Sequence, residues 1–437
     1  MIIPLLICFI IFYNAPIRGI YALAACIAFW LEWRVGVRLG LIDVAVLGAL
    51  LGLSRQTQFQ IKDKTPLRVL VVLLCIVCVF SSILTPGLVG AGIGKRLWDV
   101  YKSFYILLSF FVFYKVINTK QQLKNVIWLV IFSCTVSAIF GIIQAITQKP
   151  ITIAVGTYAE YLEGDGYLDY SGILRAFGTL SAANHFGGFL IMPLSISISL
   201  IIGNPEIVRK KLLWLVIGLQ ASGLLLSLSR GALLGFILSL FFILLLSGLL
   251  KNPKAWIVIV LLAVVVVGGE MAGLHIIPNR IKNRTLSIQN GTNDDAMTPR
   301  FARWDYFLQR SLQRPLTGWG AISDQATTDY FEGIAVSPHN TYLFIAVQRG
   351  WIALGIIILI VIRTLLTAFS NYRSISDPFV RGLNIGIVSS FIGLFAVSAI
   401  FDPYLQQNQV DIMFWLLVAM ALKSKWLIAN EIEAINV

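Results

Sequence analysis

Long apolar runs, separated by short basic or polar connections, recur along the whole of this 437-residue chain and leave it one kind of fold. A helix of about 20 apolar residues spans the hydrocarbon of a bilayer, where each backbone N–H and C=O must be paired within the segment. Candidate spans are residues 2–13, 17–31, 39–53, 67–84, 101–116, 126–147, 183–202, 212–228, 231–250, 255–274, 341–367, 383–401 and 410–422. The first two are short and divided by Asn14-Ala15-Pro16, so they form one broken crossing or a hairpin. Composition agrees: the chain is 58% hydrophobic and 13% charged, where a soluble domain carries roughly 25% charged residues. The expected fold is all-α, a polytopic integral membrane bundle of about twelve helices with two larger extracytoplasmic loops.

Lysine and arginine in short loops mark the cytoplasmic side and so orient the bundle. Five connections carry them densely: Arg55, Lys62, Lys64 and Arg68; Lys115, Lys120 and Lys124; Arg209, Lys210 and Lys211; Lys251 and Lys254; Arg363, Arg373 and Arg381. Lys423 and Lys425 follow in the C-terminal tail, and the alternating connections, such as 401–409, are poor in them. The expected layout is N-terminal spans in 1–147, a first outer loop at 148–182, central spans in 183–274, a large outer loop at 275–338 and C-terminal spans in 339–437. The two long loops, and any working face they carry, are then expected outside. The net charge of +13 is then a topology signal. No basic stripe interleaved with aromatics suggests nucleic acid.

Leu23-Ala24-Ala25-Cys26 imitates a lipoprotein cleavage site, but nothing basic precedes residues 2–13 and Arg18 interrupts the run, so it is read as a membrane segment. Cys8, Cys26, Cys75, Cys78 and Cys134 all fall in apolar segments, which offers the outer loops neither a disulfide nor a structural metal site.

The unusual polar residues gather at the outer ends of spans. Val336-Ser337-Pro338-His339-Asn340-Thr341-Tyr342-Leu343 places one of three histidines where a polar loop meets a long apolar run. Histidine can accept and return a proton near neutral pH, although His339 and Asn340 could equally cap the next helix. Ser227-Leu228-Ser229-Arg230-Gly231-Ala232 interrupts an otherwise apolar stretch. An arginine near hydrocarbon is functional or snorkels to the interface. The first outer loop sets Glu160, Glu163, Asp165 and Asp169 among tyrosines and glycines, a surface suited to sugars or simply to solvent. In the second, a basic start (Arg280, Lys282, Arg284) and Asn293-Asp294-Asp295 precede Arg300-Phe301-Ala302-Arg303-Trp304, spaced as an amphipathic helix lying on the membrane. The turn cluster Pro315-Leu316-Thr317-Gly318-Trp319-Gly320 follows.

In order along the chain, Arg175-x-Phe177-Gly178 with Asn184, Ser229-Arg230-Gly231-Ala232, Arg303-Trp304, Pro315–Gly320 and His339-Asn340 with Gly350 form a set. In this the chain resembles the superfamily of O-antigen ligases and polysaccharide polymerases, bacterial membrane glycosyltransferases. Arg230-Gly-Ala-Leu-Leu234 is similar to the family's Arg-x₃-Leu element, and His339-Asn340 with Gly350 to its His-Asn-x₉-Gly element. Ala353 stands where many relatives have a second glycine. The paired Arg-x₁₀-Gly pattern of polymerases is not met, since eleven residues after Arg175, Arg300 and Arg303 stand Phe186, Ser311 and Arg314. The resemblance therefore favours a ligase over a polymerase.

What it implies is a donor glycan on a polyprenyl (undecaprenyl) diphosphate, and an acceptor hydroxyl on another glycan or a lipid A-core-like molecule. His339 would be the general base. Arg230, Arg303, Arg300 and Arg175 would hold the diphosphate, and Asn340, Asn184 and Ser229 would support them. Diphosphate leaves as a stable anion and direct displacement inverts the anomeric centre, so neither cofactor nor metal is expected. His185 and His275 are expected to tolerate replacement. A membrane anion transporter with arginines at the bundle midpoint is the rival reading, and a structural membrane subunit a third.

Overall fold

The computed structural model describes residues 2–35, 37–55, 67–84, 93–151, 154–155, 174–203, 210–251, 298–320, 329–331, 334–406 and 408–435. They form a helical bundle, as the apolar runs require. Helices α1 (Ile2–Asn14), α2 (Pro16–Cys26), α3 (Leu41–Arg55), α4 (Arg68–Leu84), α5 (Ile93–Val116) and α6 (Lys120–Thr147) come first. Then follow α7 (Ala183–Gly203), α8 (Lys210–Leu226), α9 (Arg230–Leu246), α10 (Thr298–Gln313), α11 (Thr341–Ser374), α12 (Pro378–Gly393) and α13 (Asn408–Ile435).

Five described stretches are long and apolar enough to cross a bilayer: Lys120–Thr147, Ala183–Gly203, Thr341–Ser374, Pro378–Phe401 and Asn408–Glu431. Arg68–Leu84, Ser103–Val116 and Arg230–Leu246 are shorter apolar helices. The chain is thus an all-α, multi-pass membrane protein. About twelve spans are not reached among the described residues, and the expected span 255–274 lies outside them, as do His275, the acidic residues of the first outer loop and residues 280–295. The run expected at 17–31 also ends early. Helix α2 stops at Cys26, and Trp30–Val35 pairs antiparallel with Val37–Gly40. Leu31-Glu32-Trp33-Arg34-Val35 alternates apolar and charged residues, the period of a strand.

Small residues let the central helices approach closely. A Cβ on Gly393 would run into the Gly235 carbonyl oxygen, so α9 and α12 meet backbone to backbone. The opposite end of the bundle gathers its charges. Lys120 pairs with Asp377 (3.1 Å) and Glu431 (2.6 Å), and Lys423 donates to the Tyr114 carbonyl and Asn118. This is the end that the loop arginines and lysines assign to the cytoplasm.

Helix α11 is not one continuous rod. Gly350 has φ 84° and ψ 169°, a conformation open almost only to glycine. The break frees backbone groups, and an unpaired one in the interior costs about 1–3 kcal/mol. The turn cluster fills it. Trp319 N–H donates to the Val347 carbonyl (2.7 Å), Gly320 N–H to Gln348 (2.8 Å), and Trp351 N–H to Pro315 (2.7 Å). From α4, Ser81 donates to the Gln348 carbonyl (2.9 Å), while Arg349 reaches Ser82 (2.7 Å) and the Cys78 carbonyl (3.2 Å). The expected span 341–367 is therefore a short outer piece, 341–349, locked by residues 315–320 to a longer piece from residue 351.

Substituting Gly350→Ala would place a Cβ 2.5 Å from the Leu316 carbonyl oxygen and force a conformation that alanine avoids. We expect a stability loss of about 2 kcal/mol or more, read as a lower Tm in detergent micelles. An unchanged Tm would mean that the break is not needed.

Candidate functional site

The polar ends of α7, α9 and α11, the C-terminus of α8 and the turn after α12 converge at one end of the bundle. A π-helical turn at Leu394–Ser398 follows α12 within the apolar stretch that ends at Phe401, a device common at functional sites. The Tyr342 hydroxyl donates to the Phe395 carbonyl, and Ser398 donates to the Tyr404 hydroxyl at 2.8 Å. Asp402 emerges just beyond. Thr341 fastens this turn to α11, its Oγ1 donating to the Asp402 carbonyl (2.6 Å) and accepting from Tyr404 N–H (3.0 Å).

Asp402 is the centre of the arrangement. Its side chain is 5% exposed, and its Oδ1 lies 3.3 Å from His339 Nδ1 and 3.8 Å from His185 Nε2. Burial alone would raise its pKa, but the His185 ring, the hydrogen bond to His339 and the Arg300 charge outweigh it, and the net shift is downward. The carboxyl is therefore ionised and can only accept. The proton between it and His339 belongs to Nδ1, so that a neutral ring, 36% exposed, carries its lone pair on Nε2. Tyr404 stays protonated, because burial and the Asp402 charge both push its pKa up.

His339 has φ 44°, left-handed for a residue that is not glycine, so local structure must hold it there. Two clamps do so. Asn340 caps α11, its Oδ1 accepting from Tyr342 N–H (2.9 Å) and Leu343 N–H (3.1 Å). Trp304 Nε1 on α10 donates to the Pro338 carbonyl (2.9 Å). Helix α10 is amphipathic, with Phe307 fully buried beside Val347 and Phe301 turned outward. It brings Arg300 close enough to Asp402 to steady its charge.

The Arg-x-Phe-Gly element is a built platform. Buried Gln144 in the last turn of α6 accepts from Phe177 N–H (3.0 Å) and Gly178 N–H (2.8 Å) and donates to the Gly178 carbonyl (2.7 Å). Gly178 takes φ 59° there. From this staple Arg175 reaches the Ser227 carbonyl through Nε (3.0 Å) and Asn184 Oδ1 through Nη2 (2.7 Å). Ser229 caps α9 by accepting from Ala232 N–H and is hydrogen-bonded to Tyr404. Arg230 follows as the first residue of α9, half-buried.

Of the expected site residues, the fold brings His339, Arg300, Arg175, Asn184 and Ser229 into one network through Asp402, Tyr404 and Ser227. Arg230 adjoins it, and Arg303 stands half-buried one turn beyond Arg300. Asn340 acts on the helix end. The sequence reading missed Asp402 and Tyr404, although a carboxylate in the base-poor connection Phe401-Asp402-Pro403-Tyr404 was a usable signal. It also missed His185, whose ring meets the Asp402 carboxylate; the expectation that its replacement is tolerated does not sit with that contact.

Helices long and apolar enough to cross a bilayer, with a polar cluster at one end of their bundle, define a multi-pass membrane protein. Residues 214–360 match the family model Wzy_C, described as O-antigen ligase, which bears out the superfamily resemblance over about a third of the chain. The match covers Ser229, Arg230, Arg300, Arg303, His339, Asn340 and Gly350, and it supports a membrane glycosyltransferase of the ligase and polymerase type. No curated protein matches the chain.

Proposed function

We propose that this protein transfers a glycan from polyprenyl diphosphate, undecaprenyl diphosphate in bacteria, to an acceptor hydroxyl, as an O-antigen ligase does. The supporting observation is the His339–Asp402 contact at the end of the bundle away from the basic loops. His339 Nε2 takes the acceptor proton as its oxygen attacks the anomeric carbon; the bond to diphosphate breaks, and the configuration inverts. Asp402 fixes the tautomer and stabilises the imidazolium. The leaving diphosphate needs cationic clamps more than an acid, and Arg230, Arg300, Arg303 and Arg175 are the groups of this end suited to it. The site faces the periplasm in this reading, in a bacterial inner membrane, and no metal takes part.

Incubating the purified protein with a lipid-diphosphate glycan and a lipid A-core acceptor tests the reaction. Transfer that continues in EDTA is expected; a strict Mg²⁺ requirement would move charge neutralisation from arginine to metal. Arg230→Lys keeps the charge but loses the planar fork, and transfer should fall about tenfold or more. An unchanged rate would remove Arg230 from the clamp. Deleting the gene separates ligase from polymerase. Long glycan left on its lipid carrier is the ligase result, and single repeats on the final acceptor would make the protein a polymerase with the same chemistry.

A further inference from the structure

His185 and His339 approach the same oxygen of Asp402, at 3.8 and 3.3 Å. The first is too long for a hydrogen bond but short enough for direct electrostatics. His185 stands in the first turn of α7, 13% exposed, with Ser181 Oγ 3.1 Å from its Nδ1 and the Tyr404 ring edge-on at 6.3 Å. A serine hydroxyl can donate to Nδ1, whereas a carboxylate repels a bare lone pair. Both contacts favour the tautomer with its proton on Nε2, pointing at Asp402. The charged groups that act on the ring are Asp402 from the turn after α12 and His339 before α11, with Tyr404 edge-on to it; Arg300 on α10 and Arg175 before α7 act in turn on Asp402 and Tyr404.

We infer that His185 is a positioning residue: its Nε2–H dipole, set by Ser181, draws on the charge of Asp402 and so sets how strongly that carboxylate holds a proton on His339. This rests on His339 being the base and Asp402 its partner. A neutral ring suits the task. It leaves most of the carboxylate charge for the imidazolium that forms at His339, but tempers it so that the base can release its proton after each transfer. A permanent cation at this position would compete with the imidazolium, and an apolar ring would leave the carboxylate to bind the His339 proton too firmly.

The test uses full-length protein in detergent and follows carbethoxylation of His339 by diethylpyrocarbonate across pH, with mass spectrometry resolving its peptide. Only the neutral ring reacts, so the midpoint reports protonation of His339 whether or not it is the base. His185→Phe should raise the midpoint by about half a unit, and His185→Lys should lower it by a similar amount. His185→Gln, which returns an N–H near the Nε2 position, should restore the wild-type value. The acid limb of the transfer rate should move in the same directions. If the Phe protein does not fold, Ser181→Ala carries the same test, because losing the hydroxyl frees the ring to turn its lone pair to Asp402; a smaller rise is expected. Midpoints that stay fixed in the Phe and Lys proteins, even with slower transfer, would reduce His185 to packing and overturn the inference. Activity of His339→Ala is read separately. If that protein is active while the midpoints move, the functional reading fails and the coupling stands; if it is inactive while the midpoints stay fixed, the reverse holds.

Discussion

Replacing His339 by alanine is expected to lower glycan transfer by about two to four orders of magnitude. In the neutral ring the lone pair lies on the nitrogen that Asp402 does not hold, on a side chain exposed enough to meet a substrate hydroxyl. Alanine removes the proton acceptor without touching the clamps that shape the loop. Asn340 still caps α11, and Trp304 still holds the Pro338 carbonyl. Expression and binding of the lipid-diphosphate donor should therefore persist, with Tm lowered only by the loss of the Asp402 contact. Initial rates with purified protein, paired with donor binding on the same preparation, make the measurement. Full activity in this variant would end the proposed mechanism. Asn340→Ala is the poorer experiment, since losing a helix cap costs about 1 kcal/mol and mixes folding with chemistry.

The second large effect is expected at Asp402, a residue that sequence reading did not select. Asp402→Asn keeps the shape and removes the charge. Its amide N–H would donate to His339 Nδ1 and push the ring proton to Nε2, the nitrogen that must accept. A swap of this kind in a catalytic triad costs about 10⁴ in rate, and a loss of about 10² or more is expected here. The pH dependence separates this effect from simple damage. Asp402 has its pKa depressed in the folded protein, so its stabilising contribution is complete above the unfolded carboxylate value, about 3.9, and is lost only as pH falls through the lower folded value. Loss of wild-type activity between pH 7 and pH 5 therefore cannot come from protonating Asp402. In the Asn protein, stability should be lower at pH 7, and its decline on acidification below about pH 4 should be shallower. A rate within threefold of wild type would show that the carboxylate does not orient the base.

Much of the fold was already legible in the residues. The cost of an unpaired peptide group in hydrocarbon makes a long apolar run a helix whatever surrounds it, and the spans 126–147, 183–202 and 410–422 lie within helices. Lys and Arg placement predicted the two ends of the bundle, and the Lys120–Asp377–Glu431 cluster lies apart from the His339 site, at the end the basic loops mark. Arg300, Trp304 and Phe307 at helical spacing announced α10. The strand at Trp30–Val35 starts at the end of the run 17–31 taken to be helical, and its alternation continues beyond that run.

The site was legible only by halves. His339 and Ser229 sit beside helix starts, and polar residues at the mouth of an apolar run are conspicuous wherever the chain goes next. Asp402 was not, because its meaning depends on a contact with a residue 63 positions away. A lone aspartate in a short connection is otherwise an ordinary solvated side chain. The same holds for Gln144, which looks like one polar residue in a span until Phe177 and Gly178 fold back on it. Gly350 marked a position without a task; only its packing against residues 315–320 makes it a break in α11. By itself, then, the sequence determined which segments are apolar enough to enter a membrane and which cations and imidazole stand at their polar ends. Those follow from solvation, a property of each segment alone. Tertiary structure decided which carboxylate meets which histidine, because a 3 Å contact depends on where two distant segments stop.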